Sequence, residues 1–411
     1  MKRLYILASI ILFSLSIAAQ EISYKEYMEK VFGNNIALTA KKLDIEIAEA
    51  SVTNSKVYSD PTLAISYTNN EDWSKELGQG IEFELSKDFT FGVRHGRMDI
   101  ADKERRQTVA LLEEYIRNFR ANATIAYLEH IRANMMLLET SKMYDDINAV
   151  AINDSIRFHK GDIAESNWLE SRMAQGIARN AMLEAEALQK NTAIMLGYFM
   201  GDITYAENLH GTGSLEINET PAPIDEYIKT AIQNRPDIVV ALSQADIAEA
   251  RLKFNKAQRR PELNVNIGAT YNFSNPDFTT LKAGIAIPLK FSSLNKGARM
   301  VDETLLKQAN IEAEEARLLV ETEVMQAYSN FGYATKQAET FSAKMLSDME
   351  RVVESKRKAY ELGEISFHDY LIVEQNENEM RQQYIDALFG KAAAWVELQH
   401  AIGFGLEYKM N

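Results

Sequence analysis

The stretch that decides the fold covers residues 296–365 and reads KGARMVDETLLKQANIEAEEARLLVETEVMQAYSNFGYATKQAETFSAKMLSDMERVVESKRKAYELGEI. It contains no proline, and small or apolar residues recur from Leu305 to Val352 about every 3.6 residues, which is the period of one helix face. A continuous helix over 298–362 would be about 97 Å long at 1.5 Å per residue. A compact globular domain needs no such rod, so the sequence predicts an elongated protein.

A second stretch of the same kind lies earlier in the chain. Residues 97–160 contain neither glycine nor proline and carry a similar apolar face. Both stretches end at a glycine, Gly161 and Gly363, which can adopt the left-handed conformation that terminates a helix. A shorter periodic segment follows each glycine. The sequence therefore predicts two long helical hairpins, at 97–196 and 298–402.

The two halves of the chain share an internal repeat. Residues 23–63 align without gaps with residues 223–263, and 10 of the 41 positions are identical, including Pro61 with Pro261 and Leu63 with Leu263. This pattern indicates a duplication. We expect a first repeat at 21–197, a connection at 198–222, a second repeat at 223–403 and a tail at 404–411.

Each repeat also contains a predicted strand hairpin, at about 62–88 and about 262–290. Apolar residues alternate with polar ones in both, so that Ile81 and Phe83, for example, flank Glu82. Strict alternation is typical of a strand with one apolar and one polar face. Four strands are too few to close a barrel, for which about eight is the usual minimum, so we expect the strands to pair with those of other copies.

The first 20 residues have the features of a secretory signal peptide. Lys2 and Arg3 precede an apolar run from Leu4 to Leu15, and small residues follow it. Removal of this segment changes the formal charge from −14 to about −16, which argues against nucleic acid as a partner. No run of 18 apolar residues follows Gln20, so we expect any membrane segment to consist of strands.

Several of these features occur together in one known family. The chain resembles the TolC-like outer-membrane efflux proteins, and the features that carry the resemblance are Asn34-Asn35-Ile36 and Asn234-Arg235-Pro236, Pro61-x-Leu63 and Pro261-x-Leu263, Ile287-Pro288-Leu289 followed by Asn295-Lys296-Gly297, and the two glycine turns.

The resemblance implies a mainly α fold with a membrane β part. In this fold long helical hairpins form a periplasmic α-helical barrel of 12 helices, and each protomer contributes four strands to a 12-strand outer-membrane β-barrel. The protein would be a homotrimer in the outer membrane of a Gram-negative-type cell. Its partners would be outer-membrane lipid, a periplasmic adaptor protein and an inner-membrane transporter.

The resemblance also implies roles for individual residues. The two turns would form the end farthest from the membrane and dock the adaptor through Arg157, His159, Lys160, Gly161, Lys358, Tyr360, Gly363 and Glu364. Asp369, six residues after Gly363, would form an entrance gate with Glu374. The polar strand residues Glu82 and Glu84 would face the barrel lumen.

No residue pattern indicates catalysis, a cofactor or a metal site. The six histidines show no i, i+4 pairing, and the chain has no cysteine. The segment from Pro288 to Gly297 most resembles the subgroup that works with heavy-metal and cation pumps, although the lipidated cysteine common in that subgroup is absent. The substrate class therefore stays open between metal ions, drugs and proteins.

Two alternative functions compete with efflux. A protein-secretion duct would use the same architecture, and the sequence does not separate it from an efflux channel. A periplasmic coiled-coil scaffold would account for the long helices alone. It would give no reason for two amphipathic strand hairpins at matching positions, so we favour the channel.

Overall fold

The structure is a computed structural model that describes residues 20–69, 78–204, 206–273, 275–289 and 296–403. Residues 1–19 of the predicted signal peptide and the predicted tail lie outside these ranges. The nine helices of the described part are α1 Tyr24–Asn34, α2 Ile36–Ser55, α3 Val93–Lys160, α4 Glu165–Met200, α5 Ile224–Asn234, α6 Pro236–Gln258, α7 Lys296–Thr340, α8 Ala343–Glu361 and α9 Phe367–Ile402. Its six strands are β1 Gln20–Ser23, β2 Thr62–Asn69, β3 Gln79–Phe89, β4 Leu209–Thr212, β5 Leu263–Asn272 and β6 Thr280–Ala286.

The chain forms two compact units, and each is assembled from separate segments. One contains the described parts of 1–39, 115–234 and 320–411, and the other contains 40–114 and 235–319. No helix among the described residues is both long and apolar enough to cross a membrane.

The second unit holds a four-stranded antiparallel sheet in the order β2-β3-β5-β6. The register sets Ile65 opposite Phe83 and Glu82 opposite Thr270, so apolar and polar residues lie on opposite faces. This arrangement confirms the predicted alternation. Strand β6 ends at Ala286, earlier than predicted, since Pro288 has no N–H to donate to a neighbouring strand.

The core of the first unit contains two fully buried tyrosines. The short strands β1 and β4 pair in parallel, and the Tyr127 hydroxyl lies 2.7 Å from the Ile22 carbonyl oxygen and 2.8 Å from that of Thr212. Tyr27 and Tyr127 are fully buried, with ring centroids 5.1 Å apart. These contacts connect the start of the described chain to the middle of α3.

The long helix predicted over 298–362 is not continuous. Helix α7 ends at Thr340, and α8 starts at Ala343 with Ser342 as its N-cap, whose hydroxyl accepts a hydrogen bond from the Met345 N–H at 3.1 Å. The apolar pattern does not reveal this break, because Ala338, Phe341 and Met345 keep helical spacing across it. The first long helix, in contrast, is uninterrupted for 68 residues.

Candidate functional site

The two hairpin turns have the same backbone geometry. Gly161 has φ 80° and Gly363 has φ 78°, in the left-handed region. In the second turn the Gly363 N–H donates to the Tyr360 carbonyl at 2.9 Å and the Glu364 N–H donates to the Ala359 carbonyl at 2.8 Å, and equivalent bonds close the first turn. This is the Schellman arrangement, in which glycine avoids the strain of a side chain.

An aromatic pair spans each turn. The rings of Phe158 and Trp168 stack with centroids 4.9 Å apart, and those of Tyr360 and Tyr370 stack with centroids 6.1 Å apart. The two pairs occupy equivalent positions, 202 residues apart. Our sequence analysis missed them, although this offset, which also relates the two glycines, would have found them.

A buried polar contact joins α8 to α3 near the turns. The Tyr360 hydroxyl lies 2.7 Å from Asp154 Oδ1 and 2.6 Å from Oδ2, and both residues are buried. The Arg157 guanidinium lies 5.7 Å from the centre of the Tyr360 ring, and one of its nitrogens is 3.7 Å from Asp154. Burial, and then the Asp154 carboxylate, raises the pKa of the Tyr360 hydroxyl, so it stays a hydrogen-bond donor.

Asp154 was not predicted as a site residue. It follows Ile147 and Val150 on the buried stripe of α3, and an acidic residue on an apolar stripe is the signal that would have drawn attention to it. Buried carboxylates require partners, so a donor from another helix is the expected finding at such a position.

The residues predicted to dock an adaptor fall into two groups. Arg157 and Tyr360 belong to the internal contact with Asp154, and Tyr360 is only 4% exposed. The other side chains are exposed, and Lys358 pairs with Glu354 at 3.1 Å while His159 contacts the Ser155 carbonyl at 2.6 Å. The exposed members of the set at the two turns are His159, Lys160, Lys358 and Glu364.

The two predicted gate residues lie in different surroundings. Asp369 is exposed and forms a capping box, because its carboxylate accepts hydrogen bonds from the Ser366 hydroxyl at 2.7 Å and the Ser366 N–H at 3.2 Å. These bonds lower the pKa of Asp369. Glu374 is instead 3% exposed, and burial, followed by the nearby charge of Asp146, raises its pKa to about 7. The structure does not group the two carboxylates.

Glu374 borders a cavity of about 660 Å³ between α3, α8 and α9. Its Oε2 atom and the hydroxyl of Tyr370 are buried, and neither makes a hydrogen bond of normal geometry within the described residues.

Glu82 and Glu84, the predicted lumen residues, lie on the polar face of the sheet, where Glu82 binds Lys282 at 2.9 Å. No group of three or more histidine, cysteine or acidic side chains in the described ranges is arranged to hold a metal ion.

The family comparison matches residues 227–404 to the outer membrane efflux protein model. No curated protein matches the chain by sequence. Similar solved structures include CusC (TM-score 0.77, 15% identity, 96% of both chains covered), VceC of Vibrio cholerae (0.74, 14%, 93% of this chain and 96% of that one) and the open state of MtrE of Neisseria gonorrhoeae (0.73, 14%, 96% and 94%). The CusC structures concern the formation of a transmembrane channel. VceC is described as an outer membrane protein, and MtrE is described as an outer membrane channel. These likenesses show that the fold is shared.

Proposed function

We propose that this chain forms a homotrimeric channel of the outer membrane efflux protein family, whose model matches residues 227–404 and whose members are channels rather than enzymes. The channel would pass substrates outward from an inner-membrane transporter through a periplasmic adaptor protein. Its surroundings would be outer-membrane lipid on one face of the sheet and an aqueous lumen on the other.

The observation that carries this proposal is the two-faced sheet. Large apolar side chains on one face are exposed in the single chain, for instance Ile65 at 60%, Ile267 at 57% and Leu281 at 87%. The outer strands β2 and β6 each have one neighbour within the sheet. Three copies would supply 12 strands, pair the edges and turn the apolar faces towards lipid, which supports a closed trimeric barrel.

Fractionation and mass measurement test this proposal. We expect the full-length protein to accompany outer membranes and to have the mass of three chains in mild detergent. Recovery as a soluble monomer would contradict the channel and favour a periplasmic scaffold.

The adaptor would dock at the exposed residues of the two glycine turns. Gly363→Val forces a branched side chain into a left-handed position, so we expect export to be lost through a distorted turn. Gly363→Asn is the matched control, because asparagine tolerates this conformation. Lys160→Glu and Lys358→Glu then change only exposed charges. Normal export in both charge variants and in Gly363→Val would refute docking at the turns.

Asp369 would narrow the entrance as a ring of three carboxylates. Asp369→Ala should raise the conductance of reconstituted channels and weaken their block by multivalent cations. The substitution removes the ring of carboxylates, which repel one another and attract cations. Ser366→Ala is the control, since it removes the capping partner but keeps the carboxylate. If both variants change conductance equally, or neither does, Asp369 acts only as a helix cap.

A further inference from the structure

We propose that Glu374 is a proton-binding site inside each protomer and that its ionisation loosens the packing of α8 against α3 and α9. Any effect of this loosening on passage through the channel rests on the function proposed above. The proton site itself depends only on the geometry within one chain.

The geometry of Glu374 is unusual for a carboxylate. Its side chain is 3% exposed, and Oε2 lacks a hydrogen-bond partner among the described residues. Tyr370, one helical turn earlier on α9, is fully buried, and its hydroxyl is close enough to Glu374 to influence it but makes no hydrogen bond of normal geometry. An ionised carboxylate buried in this way is costly, whereas the protonated acid is neutral and can itself donate a hydrogen bond.

Two nearby arginines are engaged by other acids. Arg357 pairs with Glu354 and lies 3.8 Å from Asp146, and Arg381 binds Glu377 at 2.7 Å. No basic side chain in the described ranges lies within 4.0 Å of the Glu374 carboxylate, so no ion pair offsets its charge.

Charged groups reach the same cavity from all three helices. Helix α3 contributes Lys142 and Asp146, and α9 contributes Glu377. The charges of Asp146 and Glu377 disfavour ionisation of Glu374, whereas the Tyr370 hydroxyl and the charge of Lys142 favour it, each with a smaller effect than that of Asp146. The charged side chains from α8 are Glu350, Arg351, Glu354, Arg357 and Lys358.

The direction of the pH effect follows from the two states of Glu374. In an unfolded chain its pKa is near 4.5, and in the folded protein burial raises the pKa to about 7. The folded state therefore holds the proton more tightly, and the contribution of Glu374 to the stability of the packing is greatest below pH 4.5. Stability declines as the pH rises towards 7, and above that the folded protein carries a buried charge that faces Asp146.

Helix α8 is the element expected to respond. It contributes Val353 and Arg357 to the cavity wall, and the break at Ser342 makes it a separate helix of 19 residues. It can therefore change its packing without bending a continuous rod. Loosening should appear as faster amide exchange along Ala343–Glu361.

Hydrogen–deuterium exchange of the full chain in detergent tests the proposal at pH 6 and pH 8.5, with rates corrected for the intrinsic effect of pH. We expect α8 to exchange at least about tenfold faster at pH 8.5 in the unaltered protein. Glu374→Gln, which is neutral and of similar size, should keep the slow exchange at both pH values. Glu379→Gln, at an exposed position on the same helix, should behave like the unaltered protein.

Infrared difference spectra between the two pH values provide a second test. The carbonyl band of a protonated acid should disappear at pH 8.5, and Glu374→Gln should lack this change. A pH-independent exchange of α8, an unchanged response in Glu374→Gln, or the absence of the infrared change would overturn the proposal. Neither measurement involves export, so a chain that responds to pH but forms no channel would refute only the proposed function.

Discussion

At the scale of single residues, the contact between Tyr360 and Asp154 has the clearest energetic consequence. It joins α8 to α3 through buried atoms, and Asp154 is fully shielded from water. A buried carboxylate that loses a donor bears the cost of its lost hydration, which is larger than the net gain from an ordinary hydrogen bond.

Tyr360→Phe should therefore destabilise the first unit by about 1–3 kcal/mol, since it removes the hydroxyl and keeps the ring. The measurement is the thermal unfolding temperature of the purified protein. Tyr333→Phe is the control, because Tyr333 is 70% exposed and should tolerate the change. Equal unfolding temperatures for the two variants would show that Arg157 alone satisfies Asp154.

His130 should make the protein sensitive to acid. It is fully buried, its Nδ1 lies 3.0 Å from the Thr192 hydroxyl oxygen, and burial, together with the charge of His210, lowers its pKa to about 4. The unfolded chain takes up this proton near pH 6.5, so stability is present above 6.5 and is lost as the pH falls towards 4.

The expected loss is up to about 3 kcal/mol, from about 1.36 kcal/mol per unit of pKa. His130→Gln should flatten this part of the pH profile of thermal stability relative to the unaltered protein. His159→Gln, at an exposed position, should leave it unchanged. An identical profile in His130→Gln would assign the acid sensitivity to other groups.

At the scale of elements, the sequence predicted helix periodicity better than helix ends. The hairpin glycines were found because only a left-handed residue closes such a turn, and the strands were found because their alternation is strict. The break between α7 and α8 was missed because Ser342 caps a helix without disturbing the apolar spacing. The burial of Glu374 was missed because it depends on α3 and α8, which are distant in sequence.

The cap itself can be tested. Ser342→Ala removes the acceptor for the Met345 N–H and should cost about 1 kcal/mol of helix stability. Amide exchange at the first turn of α8 should therefore increase. Ser355→Ala, at an exposed position within the same helix, should have no such effect, since alanine favours a helix interior. Faster exchange in Ser355→Ala alone would contradict a capping role.

At the scale of the whole molecule, the two faces of the sheet differ in polarity. Ile65 and Ser66 are adjacent on β2, and their side chains lie on the apolar and the polar face. Sequence alternation was enough to predict this division. It was not enough to show how many chains share the sheet, because the outer strands β2 and β6 each have only one neighbouring strand among the described residues.

Ile65→Lys should reduce insertion into the outer membrane, because a lysine facing lipid costs about 2–4 kcal/mol at the middle of the bilayer. Ser66→Lys places the same charge on the polar face and should insert normally. The amount of each variant in the outer-membrane fraction measures the difference. Equal insertion of the two variants would refute a lipid-facing apolar surface.

The bond between Tyr360 and Asp154 also bears on the history of the chain. With the offset of 202 that relates the two glycines, Asp154 corresponds to Lys356 and Tyr360 corresponds to Phe158. If the halves descend from one duplicated segment, a chain built from two copies of either half would lack the donor or the acceptor of this bond. The two halves have then diverged at both positions of this bond, and its presence makes them no longer interchangeable.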